Sequence, residues 1–383
     1  MENRLPIVYL YPGSTYKSDV SRQTKITEAL AEHTTVVFVQ VAHYTHSFAK
    51  VPAPSIRQVG KNILVVENAM GYLMNRLGKR LGPVHGLLDG RRLHQLLRTH
   101  GIEEYIYWLS VPVPELLEGM RTDRLVYDCI DPCLIASEQA KYDADEACVA
   151  SQAKFVFCTA QILLERMQKI HNRTFLLNNG SAPEDFAPEA VTDVPLPKAL
   201  QGRPRPIVGY MGTTDRRVDV ETVLEAARRL PEYTFCIAGR VNQDQEHRVT
   251  ALRALPNVVM PGSISMEEGP AYNAAFDVGL IPYVPGDIGD SINPVKMFMY
   301  LTMGKPVVST WVRECANNRP LVSATRTPEE FTEAIRHAAG EQDPALREAR
   351  MAFARENTWR VRGETAIRVL EECGLLAASG SRR

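Results

Sequence analysis

The chain has almost no excess of charge of either sign. Lys and Arg number 44 and Asp and Glu 45 among 383 residues, for a formal net charge of −1, which excludes the broad basic footprint of a protein that grips nucleic acid with its whole surface. Cysteine is sparse and unpatterned. The seven thiols, at 129, 133, 148, 158, 236, 315 and 373, form neither paired CxxC knuckles nor a dense even-numbered framework, so they read as reduced, buried, small apolar residues of a cytoplasmic protein. No apolar run approaches the roughly 20 residues that a membrane span needs. Met1-Glu2-Asn3-Arg4 leads straight into a strand-like run, so no signal peptide is expected. The first strand is followed by Tyr11-Pro12-Gly13-Ser14-Thr15-Tyr16, which lacks the G-x-G-x-x-G spacing and argues against a dinucleotide-dependent dehydrogenase.

What is present is a long series of short apolar runs alternating with helical patterns, the signature of βαβ units and parallel sheets. In the first half, strands are expected at Ile7-Tyr11, Val36-Gln40, Ile63-Val66, Tyr105-Leu109, Leu125-Asp128, Phe155-Thr159 and Phe175-Leu177. Several are apolar throughout, as strands buried on both faces are. Prolines then cluster from Pro183 to Pro206 with little periodicity. A second alternating series follows, with strands at Ile207-Met211, Thr234-Ala238, Val258-Met260, Val278-Ile281 and Val307-Ser309. At this length one core is unusual. Expected are two domains, over 1–187 and 205–355, joined by a Pro-rich linker over 188–204, with a last helix within 356–383.

Ligands of open parallel sheets bind beyond the carboxyl ends of the strands. In the second half those positions hold Gly212-Thr213-Thr214-Asp215-Arg216-Arg217, Gly239-Arg240, Gly262-Ser263 and the loop from Gly286 through Asn293, which includes Asp290, Ser291 and Ile292. Glycines let backbone approach a ligand closely, and Arg216 and Arg217 suit phosphate oxygens. Adjacent arginines are as readily a solvated turn; convergence of four such loops on one edge favours a nucleotide or phosphate ligand. Asn293-Pro294 opens a helix that Gly304-Lys305-Pro306 closes. With Asn as cap and Pro at the first position, its N-terminus and Lys296 are expected to attract an anion.

Tyr127-Asp128-Cys129-Ile130-Asp131, Leu176-Leu177-Asn178-Asn179-Gly180, Val208-Gly209-Tyr210-Met211-Gly212, Phe276-Asp277-Val278-Gly279-Leu280-Ile281-Pro282-Tyr283 and Asn293-Pro294-Val295-Lys296 with Gly304-Lys305-Pro306-Val307-Val308-Ser309-Thr310 resemble bacterial retaining glycosyltransferases of the large family 4-like group. That resemblance implies an α/β GT-B fold, two Rossmann-like domains facing a central cleft. It implies a nucleotide-sugar bound as substrate, with no further cofactor and no metal, base and ribose near Gly239-Arg240 and Ser263-Ile264, and the diphosphate near Arg216, Arg217 and Lys296. Gly13 and Ser14 would approach the donor phosphates, and Asp131 would orient an acceptor hydroxyl, unless it caps the following helix. In the usual family pattern the helix at Asn293 carries two glutamates eight positions apart; here those positions are Ser291 and Met299. A thioether cannot accept the paired hydrogen bonds that a carboxylate offers to a ribose diol.

The expected partners are therefore a nucleotide-sugar donor and a saccharide or lipid-linked acceptor, with no nucleic acid. Residues 70–81, with Arg76, Lys79 and Arg80 among large apolar side chains, read either as a surface segment or as a peripheral contact with the inner face of a membrane. A sugar-nucleotide epimerase or hydrolase, and a non-catalytic subunit of the same fold, remain alternative functions.

Overall fold

A computed structural model of the protein describes residues 4–11, 16, 21–44, 53–73, 82–117, 120–131, 133, 138–192 and 194–377. The chain divides into two compact units, one of Met1–Asn178 with Arg362–Arg383 and one of Asn179–Val361.

The first unit holds an eight-stranded sheet in the order β3-β4-β2-β1-β5-β6-β7-β8. Its strands are β1 (Ile7–Tyr11), β2 (Val36–Tyr44), β3 (Ser55–Gly60), β4 (Ile63–Leu73), β5 (Ile106–Leu109), β6 (Leu125–Cys129), β7 (Phe155–Cys158) and β8 (Thr174–Leu176). All neighbours are parallel except β3 against β4. Side chains alternate across a strand, and both sides of this sheet are buried: Ile7 and Tyr9 pack in one apolar cluster, Val8 and Leu10 in another. Double burial explains why β1 and β5 through β7 read as continuous apolar runs. The helices are α1 (Arg22–Ala31), α2 (Gly82–Thr99), α3 (Gln139–Gln152) and α4 (Gln161–Met167). Beneath them runs a buried ion pair: Arg22 donates to both oxygens of Asp128 at 3.2 and 2.9 Å, and Trp108 Nε1 adds a third donor at 3.1 Å.

The second unit is a six-stranded, wholly parallel sheet of β9 (Ile207–Met211), β10 (Thr234–Ala238), β11 (Val258–Gly262), β12 (Val278–Ile281), β13 (Val307–Thr310) and β14 (Val322–Thr325). Its order, β11-β10-β9-β12-β13-β14, is the doubly wound Rossmann order, whose direction reverses between β9 and β12. Its helices are α5 (Pro183–Phe186), α6 (Val220–Arg229), α7 (Glu246–Arg253), α8 (Gly269–Ala275), α9 (Asp287–Asp290), α10 (Val295–Thr302), α11 (Arg313–Ala316), α12 (Pro328–Ala339) and α13 (Pro344–Glu356). The Pro-rich stretch holds 3-10 turns at Pro188–Val191 and Lys198–Leu200, and Leu200 is fully buried in this unit's core. Helix α14 (Trp359–Glu372) starts on the second unit, and from Arg362 onward belongs to the first, where Ala366, Ile367 and Leu370 join the core.

Candidate functional site

The reversal between β9 and β12 makes the carboxyl ends of those two strands the natural ligand position of the second unit. Lys296, in the first turn of α10, points there. Its Nζ donates to the Tyr283 hydroxyl at 3.0 Å and lies 5.0 Å from the centre of the Tyr210 ring and 5.5 Å from that of Tyr283. Tyr210 belongs to β9 and Tyr283 follows β12 by two residues. Helix α10 is pinned to the same place from below, because the Met211 N–H donates to the buried Tyr300 hydroxyl at 3.1 Å. Burial pushes the Tyr210 and Tyr300 phenols well above their ordinary range, so both remain neutral, Tyr210 beneath the cation and Tyr300 as the anchor of α10.

Two glycines make room. At Gly212, φ is +138° and an added Cβ would stand 2.7 Å from both Cε and Nζ of Lys296. At Gly239, φ is +142° and a Cβ would stand 2.1 Å from the Gly212 carbonyl oxygen. The loops after β9 and β10 are laced together, Thr214 N–H donating to the Arg240 carbonyl and Asn242 N–H to that of Thr214. Thr213, Arg240, Ser263 and Ile264 all stand on this edge, Arg240 and Ser263 exposed.

The two arginines are arranged differently from the lysine. Arg217 forms a chelate with Asp215, its closest contact 2.6 Å, and its carbonyl accepts from Val284 N–H just beyond β12. Arg216 is exposed and pairs with Asp244 at 2.9 Å. Among the described residues no carboxylate pairs with Lys296. The sequence pattern of adjacent cations did not reveal this difference; the carboxylate two residues before Arg217 was its only local signal. Tyr283 was also missed as a functional group, though an aromatic residue just past a strand end was visible.

Asn293 departs from its expected role. Pro294 takes the cap position of α10 and no side chain caps it. The Asn293 amide is instead spent on tertiary contacts: Oδ1 accepts from Asn179 N–H at 2.8 Å, the carbonyl accepts from Asn179 Nδ2 at 2.6 Å, and Nδ2 donates to the buried carboxylate of Glu314 at 3.1 Å. Ser291 and Ile292 are buried, Ser291 donating to the Asp287 carbonyl, while Asp290 accepts from Arg313 N–H. Met299 is half-buried against the core, and its carbonyl accepts from Asn273.

In the first unit, Asp131 is exposed two residues beyond β6, its carbonyl accepting from Tyr142 at 2.7 Å. Asp128 is withdrawn into the buried pair with Arg22. Gly13 and Ser14 lie outside the described residues, as do 74–81; Met70 to Leu73 form the end of β4. Among the described residues no three His, Cys, Asp or Glu side chains converge as a metal set, and no helix is long and apolar enough to cross a membrane.

Comparison with known proteins follows the same lines. Residues 205–341 match the family described as glycosyl transferases group 1. The chain is 26% identical over 284 residues to TuaH of Bacillus subtilis (strain 168), whose name assigns it provisionally to teichuronic acid biosynthesis as a glycosyltransferase; the match covers 67% of this chain and 69% of that one. Sucrose-phosphate synthase from Thermosynechococcus elongatus superposes with a TM-score of 0.71 at 16% identity, over 96% of this chain and 99% of the other. The UDP-forming α,α-trehalose-phosphate synthase of Burkholderia vietnamiensis gives 0.70 at 13% identity, over 96% and 99%. The family match spans the whole parallel sheet of the second unit, and the likeness to these synthases assigns the chain the GT-B fold of two Rossmann-like domains.

Proposed function

We propose that the protein moves a sugar from a nucleotide-sugar to a glycan, exopolysaccharide or lipid-linked acceptor, with retention and without a divalent metal, at the cytoplasmic side. The observation that carries this reading is Lys296: a cation with no carboxylate partner among the described residues, held by two tyrosines at the switch point of a Rossmann sheet. Departure of a nucleoside diphosphate develops negative charge, and a preorganised ammonium stabilises it without reorganising at the moment of reaction. The bond from the anomeric carbon to the diphosphate breaks, the acceptor oxygen attacks on the same face, and its proton passes to a diphosphate oxygen. No protein base is required by that route. Arg217, oriented by Asp215, stands on the same edge as a second cation for the phosphates.

Thermal shift of the purified protein against UDP, GDP, dTDP and ADP, with and without EDTA, tests the reading. Stabilisation by one nucleotide that survives EDTA supports it; stabilisation that EDTA abolishes overturns the metal-independent part. A second reading, a GT-B subunit without donor chemistry, is favoured by Met299 and Ser291 where related helices carry carboxylates. Nucleotide binding without turnover across an acceptor panel would select it, and product formation from donor alone would indicate a hydrolase.

A further inference from the structure

Trp311 and Arg326 each follow the last residue of a strand. The parallel register pairs Thr310 with Thr325, so the next residues of β13 and β14 stand side by side at the carboxyl edge of the second unit's sheet. The Arg326 guanidinium lies 3.5 Å from the centre of the Trp311 ring, in stacking contact, and that of Arg319 lies 5.4 Å from it. Both arginines are exposed. They are also held in place: Arg319 donates to the Ala324 carbonyl, and Arg326 N–H donates to Glu330 at 2.7 Å. Neither guanidinium forms an ion pair among the described residues.

Two guanidinium groups on one indole lie within about 9 Å of each other, inside the Debye length of about 10 Å at 0.1 M ionic strength. The ring quadrupole of Trp311 attracts each cation, and the like charges oppose each other. An external anion relieves that opposition, and guanidinium forks match carboxylate and phosphate oxygens two at a time. The place fits a substrate: β13 adjoins β12, one strand spacing or about 4.8 Å away, and Tyr283 with Lys296 lies at the end of β12.

We propose that Arg319 and Arg326, braced on Trp311, form an anion subsite for the carboxylate or phosphate oxygens of an acidic saccharide; that the saccharide is this enzyme's substrate rests on the transferase reading above. Calorimetric titration of the full-length protein, with no nucleotide present, uses a dihexuronate, glucose 6-phosphate, inorganic phosphate and maltose as probes. An acidic saccharide is expected to bind and maltose is not. Binding of the dihexuronate alone assigns a carboxylate, and binding of glucose 6-phosphate alone assigns a phosphate.

The double variant Arg319→Gln with Arg326→Gln is expected to weaken that binding by about tenfold or more, the loss of one charge-assisted contact. Its affinity for nucleoside diphosphate should be unchanged, which also shows that it folds. No anion binding at millimolar concentration, equal binding of maltose, or unchanged affinity in the double variant overturns the proposal. Binding of inorganic phosphate without either acidic saccharide overturns the saccharide assignment. Because nucleotide is absent, failure of nucleotide binding would remove the transferase reading and leave the subsite standing.

Discussion

The Lys296 ammonium donates to the Tyr283 hydroxyl at 3.0 Å, so a helix residue and a residue just past β12 meet at the point where the strand order of the second unit reverses. If that cation holds the diphosphate, Lys296→Ala removes a charge-assisted contact of about 1.5–3 kcal/mol. Nucleoside diphosphate affinity should fall about ten- to hundredfold. Tyr283→Phe keeps the ring and loses only the acceptor, so its cost should be smaller, about two- to tenfold. Calorimetry on both variants checks the order; unchanged affinity in Lys296→Ala would make the lysine a mere brace between tyrosines.

Gly212 makes the same point through sterics. A Cβ there would stand 2.7 Å from the end of Lys296, at φ +138°. Gly212→Ala is expected to cost about 1–3 kcal/mol of stability through backbone strain and to weaken nucleotide binding as Lys296→Ala does, because the ammonium is displaced. Gly202→Ala is the control. Gly202 also has positive φ, +72°, with nothing near its missing Cβ, so that variant should lose stability and keep its nucleotide affinity.

Five of the six strands of the second unit were legible in the sequence, because burial writes each as an apolar run; β14 (Val322–Thr325), with Ser323 exposed between buried neighbours, was not expected. Ile207–Met211, Thr234–Ala238 and Val278–Ile281 fall where the pattern put them. Strand β3 was not legible: Ser55–Gly60 is an antiparallel edge strand with mostly exposed or half-buried side chains, so it carries no apolar signature. The loops of the site could be placed on one sheet edge from strand ends alone. Which cation was tied to a carboxylate could not, since Arg216 meets Asp244 across 28 residues of sequence. Asn293 was misread for a related reason. A capping residue and a tertiary hydrogen-bonding residue look alike in sequence, and its partners Asn179 and Glu314 are remote.

Met299 lies one turn beyond Lys296 on α10, three residues along and therefore a neighbour on the helix surface. Its side chain is half-buried, so a carboxylate there can reach solvent or ligand. Met299→Glu is expected to tighten binding of a ribonucleoside diphosphate over its 2′,3′-dideoxy counterpart by about three- to tenfold, the gain of one hydrogen bond to a charged acceptor in partial competition with water. An equal effect on both nucleotides would show instead that the new carboxylate acts on Lys296.

The buried pair of Arg22 and Asp128 belongs to stability rather than ligand chemistry. Asp128 has no exposed surface and receives Arg22 and Trp108 together. Asp128→Asn leaves a buried guanidinium without its counter-charge, a loss of about 3–5 kcal/mol. Urea unfolding should register it fully, while nucleotide affinity stays at the wild-type value. Comparable losses in both measurements would place Asp128 in the binding machinery.

Lys305 ends the segment that Lys296 begins, and its charge works against the fold. Its ammonium donates to the carbonyls of Ala274 and Phe276 at 2.9 and 2.6 Å, yet burial pulls its pKa from 10.5 down to about 8, with Asp277 opposing the shift. Below about pH 8 the folded and unfolded chains both hold the proton, and the penalty for holding it in the folded state is fully present. Between about pH 8 and 10.5 the unfolded chain binds more protons than the folded one, so the contribution of this group to stability rises with pH. Lys305→Met removes the titration and keeps the apolar stem. The stability difference, wild type minus variant, should therefore shift toward the wild type as pH increases from 8 to 10, by no more than about 1.4 kcal/mol per pH unit. Urea unfolding of both proteins at pH 7, 8, 9 and 10 measures that difference directly. Parallel curves would mean that the two carbonyl contacts hold the ammonium at its ordinary pKa despite its burial.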